Sequence, residues 1–391
     1  QMTANINNET LYKQFQEKIT SFYANLKDKF AIKFLGITGV TRLKDVSIFS
    51  VGSDINDITN ASAYSQMIGF TRDEIKKYYI DYLKLAASYE NNCNVDEVTD
   101  TQLESMLDMM AQNYDGYCFD EDYEKKVFST WSVNKFFQTM VGKKKVQFGE
   151  YWYDNGGLPS ILVNYLKTHE LNIFEYLDKD KFLKVSSDDF KNPTALTTIN
   201  QNVLMCQTGY LTLRSDLNKT STVALGIPNG EIYKALNRLL ANNIFKGNTD
   251  ITDDYGRSLL EVGTVDDIIN LFNSALNSVS YDNYPIVSES SVQNMLKLYL
   301  LGAHQEVLSE VHEAKGRADL IVNTDNRRIV FEFKYAKNET ETKAKLSEAV
   351  EQIKTRDYGN ILPKKNELIR IAAVFNADPN VRAFTENQIV P

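Results

Sequence analysis

The stretch GRADLIVNTDNRRIVFEFK, residues 316–334, decides the fold of the C-terminal part of the chain. Two β-like runs flank Thr324-Asp325-Asn326-Arg327, which has the chemistry of a short hairpin turn. Centring the turn on Asp325-Asn326 sets Leu320 across from Phe331 and Asp319 across from Glu332. Side chains alternate along a strand, so Lys334 projects on the same side as Glu332. The other face collects Ala318, Leu320 and Val322 against Ile329, Phe331 and Phe333. One face is therefore apolar, and the other carries two carboxylates and an ammonium. Carboxylates set directly opposite repel, at a cost of about 0.2–1 kcal/mol unless something compensates. Mg²⁺ would compensate: it takes oxygen ligands, commonly one or two carboxylates with waters and substrate phosphates. A neighbouring lysine would orient a water or neutralise charge developing at phosphorus. The triplet alone is a weak pattern, and a solvated hairpin face bearing Asp, Glu and Lys is the commoner reading of it.

Working outward, the setting is helix, strand, hairpin, helix and strand. SSVQNMLKLYL (290–300) reads as a helix that Glu289 opens, and QEVLSEVH (305–312) as a strand with Glu306 and Glu310 on one face. TKAKLSEAVEQIKTR (342–356) is amphipathic through Leu346, Ala349, Val350 and Ile353, and ELIRIAAVF (367–375) reads as a buried strand. Further upstream, residues 9–28 space Leu11, Phe15, Ile19, Phe22 and Leu26 as a helix, and FAIKFLGITGV (30–40) reads as a buried strand. Helices are expected at 72–89, at 101–112 with Glu104 completing a capping box, and at 131–140. A glycine turn leading into a helix is expected over 151–166, and a hairpin through Asp216–Lys219. Helices return at 229–245 and 264–279. SVSYDNYP (278–285), with turn formers and a proline, is the expected boundary before the last domain.

The whole chain has 391 residues, 43% of them hydrophobic and 24% charged, with a net charge of −9. That length implies two or three domains of ordinary globular composition, which excludes fibrous and largely disordered classes. No apolar run approaches the roughly 20 residues of a membrane span, so no membrane association is expected. Cys93, Cys118 and Cys206 are too few and too far apart for a disulfide framework or a cysteine zinc site, which fits a reducing, cytoplasmic compartment. His169, His304 and His312 form no metal-ligand spacing. Between Lys315 and Arg370 there are 13 Lys/Arg against 9 Asp/Glu, so the basic end of an acidic chain is its C-terminal end. A phosphate backbone would meet the protein there.

Residues 285–391 resemble the nuclease-like domain of the PD-(D/E)XK superfamily, an αβββαβ core, through GRADLIV (316–322), FEFK (331–334) and AVEQIKTRDY (349–358). The wider pattern is similar to bacterial proteins in which an AAA-ATPase-like domain precedes that module. It runs through GITGVTRLKDVSIFS (36–50), INDIT (55–59), YDGYCF (114–119), WSV (131–133), YWYDNGG (151–157) and QTGYLTL (207–213). The implied fold is mixed α/β. Residues 1–150 would be the C-terminal part of an AAA-ATPase-like domain, 151–280 a helical and β-hairpin middle region, and 285–391 the nuclease-like domain. The resemblance makes Asp319 and Glu332 ligands of Mg²⁺ or Mn²⁺, Lys334 the catalytic lysine, Glu289 the acid of the first helix and Gln352 the polar residue of the second. Glu310 is either an extra ligand or a plain strand residue. Arg317 contacts phosphate or, preferably, pairs with an acid.

The chain departs from that pattern in having no G-x-x-x-x-G-K-[ST] loop; Gly142-Lys143 lacks both the upstream glycine and the hydroxyl. ATP is therefore not expected to bind this chain, and Gln1 in place of an initiating methionine suggests a fragment or processed product. Thr38 and Arg42 would sense a γ-phosphate in a complete ATPase; here they read as capping and loop residues. The DNGG turn at 154–157 reads as a turn before a helix. The expected function is a metal-dependent nuclease acting on DNA more than RNA. The alternatives are an inactive nucleic-acid-binding or regulatory module, or a subunit of an ATP-driven assembly, with an oligomer possible.

Overall fold

The computed structural model describes residues 8–29, 33–42, 56–154, 160–166, 169, 171–192, 198–245, 255–303, 305–313, 316–359 and 367–391. The chain divides into two compact units, Gln1–Ala235 and Leu236–Pro391. The second unit thus begins upstream of the 278–285 stretch where the sequence suggests a boundary.

The first unit is mainly helical: α1 (Glu9–Lys29), α2 (Arg72–Tyr78), α3 (Ile80–Asn91), α4 (Asp100–Tyr114), α5 (Thr130–Lys143), α6 (Tyr151–Asp154), α7 (Ser160–Leu166), α8 (Ser187–Lys191) and α9 (Gln201–Gln207). Its three strands, β1 (Leu183–Ser186), β2 (Thr212–Leu213) and β3 (Thr222–Gly226), form an antiparallel sheet in the order β1-β3-β2, with the expected hairpin joining β2 to β3. The expected helix at 72–89 is broken at Tyr79, which caps α2 and starts α3. The capping box of α4 is Thr99 with Gln102, not one completed by Glu104. Glu104 is drawn away by Arg72 and Lys76. The buried strand expected at 30–40 is not found among its described residues: 33–40 form no strand, and Phe34 is 88% exposed. An apolar run predicts burial only where another layer covers it. A core of Ile75, Leu83, Met106, Leu107, Met110, Phe136 and Phe137 holds α2 to α5 together.

Helix α10 (Gly230–Ile244) leads from one unit into the next. The second unit holds α11 (Tyr255–Val262), α12 (Val265–Asn277), α13 (Glu289–Gly302), β4 (Glu306–Glu313), β5 (Gly316–Asn323), β6 (Arg327–Ala336), α14 (Glu339–Arg356), β7 (Glu367–Asn376) and β8 (Ala383–Ile389). Its sheet runs β4-β5-β6-β7-β8. Only β6 and β7 are parallel, as expected for strands joined by a helical crossover, here α14. The sequence reading anticipates each element from α13 to β7 and lacks β8. That strand pairs antiparallel to β7 with a register shift between Val374 and Phe375.

Both faces of this sheet are covered. Phe331 and Phe333 stack on one face, and Phe272 of α12 and Phe384 of β8 close on them at centroid distances of 5.3 and 5.6 Å respectively. On the other face α14 packs Ala349, Val350 and Ile353 over Ile321, Val330 and Ala372. The expectation of one apolar and one polar face is corrected accordingly: the face of Glu332 and Lys334 also carries buried Ile321 and Val330, because α14 lies over it. Phe331→Ala should cost about 3–5 kcal/mol, since the ring is fully buried between Phe272 and Phe333. Urea unfolding of the variant measures this, and a loss below about 1 kcal/mol would contradict the packing.

Candidate metal and phosphodiester site

The β5–β6 hairpin sets the site. Its ladder pairs Asn323 with Arg328, Val322 with Ile329, Ile321 with Val330 and Leu320 with Phe331, the register expected from the turn. One step on, the ladder changes character. The Phe333 N–H donates to the Asp319 carboxylate (Oδ2, 2.9 Å) instead of to a backbone carbonyl. The Asp319 side chain thereby enters the gap between the strands. Its backbone carbonyl accepts a hydrogen bond from Gln293 Nε2 of α13.

Lys334 lies across the same gap. Its Nζ donates to Glu332 Oε1 (2.9 Å), to Glu289 Oε1 (3.1 Å) and to the Phe333 carbonyl (3.2 Å). Three acceptors match the three N–H bonds of an ammonium. Glu289 reaches it because Ser288 caps α13 by accepting the Ser291 N–H (3.2 Å), which makes Glu289 the first helical residue. Glu332 is 0% exposed and Lys334 4%. Glu332 Oε2 is buried and has no hydrogen-bond partner in the structure.

The charges respond to this burial. Desolvation and the nearby Asp319 carboxylate push Glu332 up to about 7, against the pull of Lys334. Desolvation also raises Asp319, although the Phe333 N–H and the Lys334 charge work the other way. For Lys334 burial favours the neutral amine, but Glu332 and Glu289 together outweigh it and hold the ammonium above its ordinary value.

Of the sequence-derived residues, Asp319, Glu332, Lys334 and Glu289 thus come together. Gln352 of α14 reaches the Tyr358 hydroxyl (3.4 Å) and contacts none of these four in a hydrogen bond. Arg317 is exposed, and its charge bears on Asp319. The side chain of Glu310 lies outside the described residues, as does most of the 154–157 turn. Arg42 is bound to Asp57 (2.6 Å) and to the carbonyls of Phe190 and Lys191 (3.2 and 2.8 Å), so in this chain it ties loops together. Gly142 and Lys143 end helix α5. Gln293, Arg356 and Tyr358 are additions from the structure. For Arg356 a signal was present, because it follows Gln352 by four residues on the same face of a helix.

Among the described residues no group of three or more His, Cys, Asp or Glu side chains forms a ready metal cage. Two carboxylates with one orphaned buried oxygen nevertheless fit a hard divalent cation, which completes its shell with water and phosphate oxygens. The same group sets a pH dependence. The folded Glu332 keeps its proton to about pH 7, whereas the unfolded chain releases it near the ordinary 4.5. Between those values the folded state binds more protons, so without divalent ions stability should fall as pH rises through this window. In the first unit Glu231 acts in the same direction: its buried carboxylate accepts from Ser132 Oγ (2.6 Å) and the Trp152 N–H (2.8 Å), and burial pushes it up to about 7. Glu332→Gln should therefore flatten, but not abolish, the decline in thermal stability between pH 5 and pH 7 in chelator, roughly the window set by those values. A profile identical to that of the unsubstituted protein would show Glu332 to be ionised throughout.

Across 380 residues the chain is 22% identical to an uncharacterized protein in the vnfD 5′ region of Azotobacter chroococcum mcd 1; the match covers 95% of this chain and 66% of that protein. No solved structure matches the chain. Residues 287–384 match the PD-(D/E)XK nuclease superfamily. That segment holds α13, the β4–β6 meander, α14 and β7, with all four clustered side chains inside it. The chain therefore carries a PD-(D/E)XK nuclease superfamily domain at residues 287–384.

Proposed function

We propose that this domain is a divalent-cation-dependent phosphodiesterase acting on nucleic acid, with DNA preferred to RNA. The observation that carries the reading is the buried, unpartnered Glu332 Oε2 beside a second carboxylate, Asp319, and an ammonium, Lys334. An unsatisfied buried carboxylate oxygen costs about 1–3 kcal/mol or more, so a position that keeps one is suited to a cation. Asp319 and Glu332 would hold Mg²⁺ or Mn²⁺, which when bound supplies charge neutralisation and a more acidic water.

The remaining chemistry belongs to the side chains. Lys334 places a fixed positive charge beside the reacting phosphate, where it orients water or offsets negative charge developing on the phosphoryl oxygens. Glu289 holds that ammonium in place from the start of α13. Gln293 fixes β5 through the Asp319 carbonyl, and α14 excludes bulk water from the sheet face on which Glu332 lies. The three free thiols are consistent with a reducing, cytoplasmic setting. The N-terminal part is read as ATPase-like on its motifs alone, and this chain is expected to bind no ATP.

A second reading is favoured by one observation: Lys334 already satisfies Glu332 Oε1 and Glu289, so an ammonium occupies much of the acidic cluster. On that reading the domain binds nucleic acid without cutting it. Incubation of plasmid and single-stranded DNA with Mg²⁺ or Mn²⁺ separates the two. Cleavage lost by at least about 100-fold in both Asp319→Ala and Lys334→Ala supports the nuclease. Cleavage that survives either change removes it. Calorimetry showing no Mn²⁺ binding, with salt-sensitive DNA binding retained, favours the second reading.

A further inference from the structure

We propose that Arg356 is the phosphate-contacting cation of this site, aimed by the hydroxyl of Tyr358. The inference rests on the nucleic-acid reading above and names a group that contacts the substrate backbone.

Tyr358 is fully buried and packs with Ile321 and Val330. Ile321 stands two residues from Asp319 on β5 and Val330 two residues from Glu332 on β6, so the tyrosine lies on the sheet face that carries the carboxylates. Its hydroxyl accepts from Arg356 Nη1 at 2.7 Å and from Gln352 Nε2 at 3.4 Å. The turn that presents it is braced from the sheet. Arg370 of β7 donates to the Tyr358 carbonyl (2.7 Å) and to Asp357 Oδ1 (2.6 Å). Asp357 caps α14 in the left-handed conformation at φ 49°. At Gly359, with φ +79°, a Cβ would come within 2.7 Å of Val330, so the turn is pressed onto β6 and tolerates no side chain there.

The cations around the site are differently committed. Lys334 is bound by Glu332 and Glu289, Arg370 by Asp357, and Lys345 by Glu348. Arg356 is held by a neutral phenol, and no carboxylate lies within ion-pair distance of it among the described residues. A guanidinium fixed by one N–H has the rest of its fork available, the geometry that suits two phosphate oxygens. The Tyr358 contact, followed by the more distant Glu332 and Asp319, holds the Arg356 charge above its ordinary range. A cation with uncommitted N–H groups beside these carboxylates offsets their repulsion of a phosphodiester, a role that Lys334, already bound to Glu332 and Glu289, fills less freely.

The test uses the full chain with Arg356→Gln and Arg356→Lys. A labelled duplex oligonucleotide reports binding by anisotropy in chelator over a range of salt, and Mn²⁺-dependent cleavage is followed in parallel. Arg356→Gln should weaken binding roughly tenfold and reduce the log–log salt slope by about one. It should lower kcat/KM mainly through KM and leave the thermal midpoint unchanged. Arg356→Lys keeps a charge and loses the fork, so the salt slope should return while kcat/KM stays depressed; it carries the test should the glutamine variant not fold. An Arg356→Gln protein that cleaves normally with the original salt slope overturns the role of Arg356 and leaves the nuclease reading standing. Salt-sensitive binding that depends on Arg356, without cleavage by any form, supports this inference and removes the nuclease. An unsubstituted protein that neither binds nor cleaves overturns both.

Discussion

The hydrogen bond from the Phe333 N–H to the Asp319 carboxylate holds two strands together where their backbone ladder gives out, and the site depends on that substitution. A backbone carbonyl at this step would continue the regular ladder and leave the carboxylate without that donor. By taking the donor itself, the carboxylate fixes its own position between β5 and β6, and Gln293 locks the same residue from behind. The acid therefore arrives in place before any ligand does, at the expense of one unit of regular pairing. Irregular pairing beside functional groups is a common way for sheets to aim side chains.

Burial then strengthens the coupling among these charges. Were Glu332 and Lys334 on a wetted hairpin, their mutual attraction would be worth a fraction of a kcal/mol. Covered by α14 and backed on the opposite face by the Phe331, Phe333, Phe272 and Phe384 rings, the same groups interact in a poorly screening medium. Desolvation explains why Glu332 titrates near neutrality and why its second oxygen is left needing a partner.

The hairpin was legible because its information is local. The turn Thr324–Arg327 fixes the register, the alternation fixes the faces, and both hold over the four pairs from Asn323–Arg328 to Leu320–Phe331. What failed was knowledge of coverage. Alternation tells which residues share a face but not whether a helix lies on it, so the Glu332 face was read as open, while FAIKFLGITGV was read as buried though its described residues are exposed. Capping was similarly underdetermined at α4, where Gln102 and Glu104 both suit a box and the pull of Arg72 and Lys76 decides. Strand β8 escaped notice because AFTENQI has a single strongly buried position, Phe384, and gains its place only by pairing with β7. Arg356 and Tyr358 sit in a stretch whose resemblance pointed to Gln352; only the folded turn shows the three side chains converging.

The placement of Glu289 at the first position of α13 also sets the local balance of charge. Asp319, Glu332 and Glu289 carry three formal negative charges when ionised, and Lys334 returns one. The shortfall is two. On the proposed metal-binding reading a doubly charged ion would offset the charge of these four groups where a sodium or potassium ion would leave it negative, with Arg317 and Arg356 adding positive charge further out.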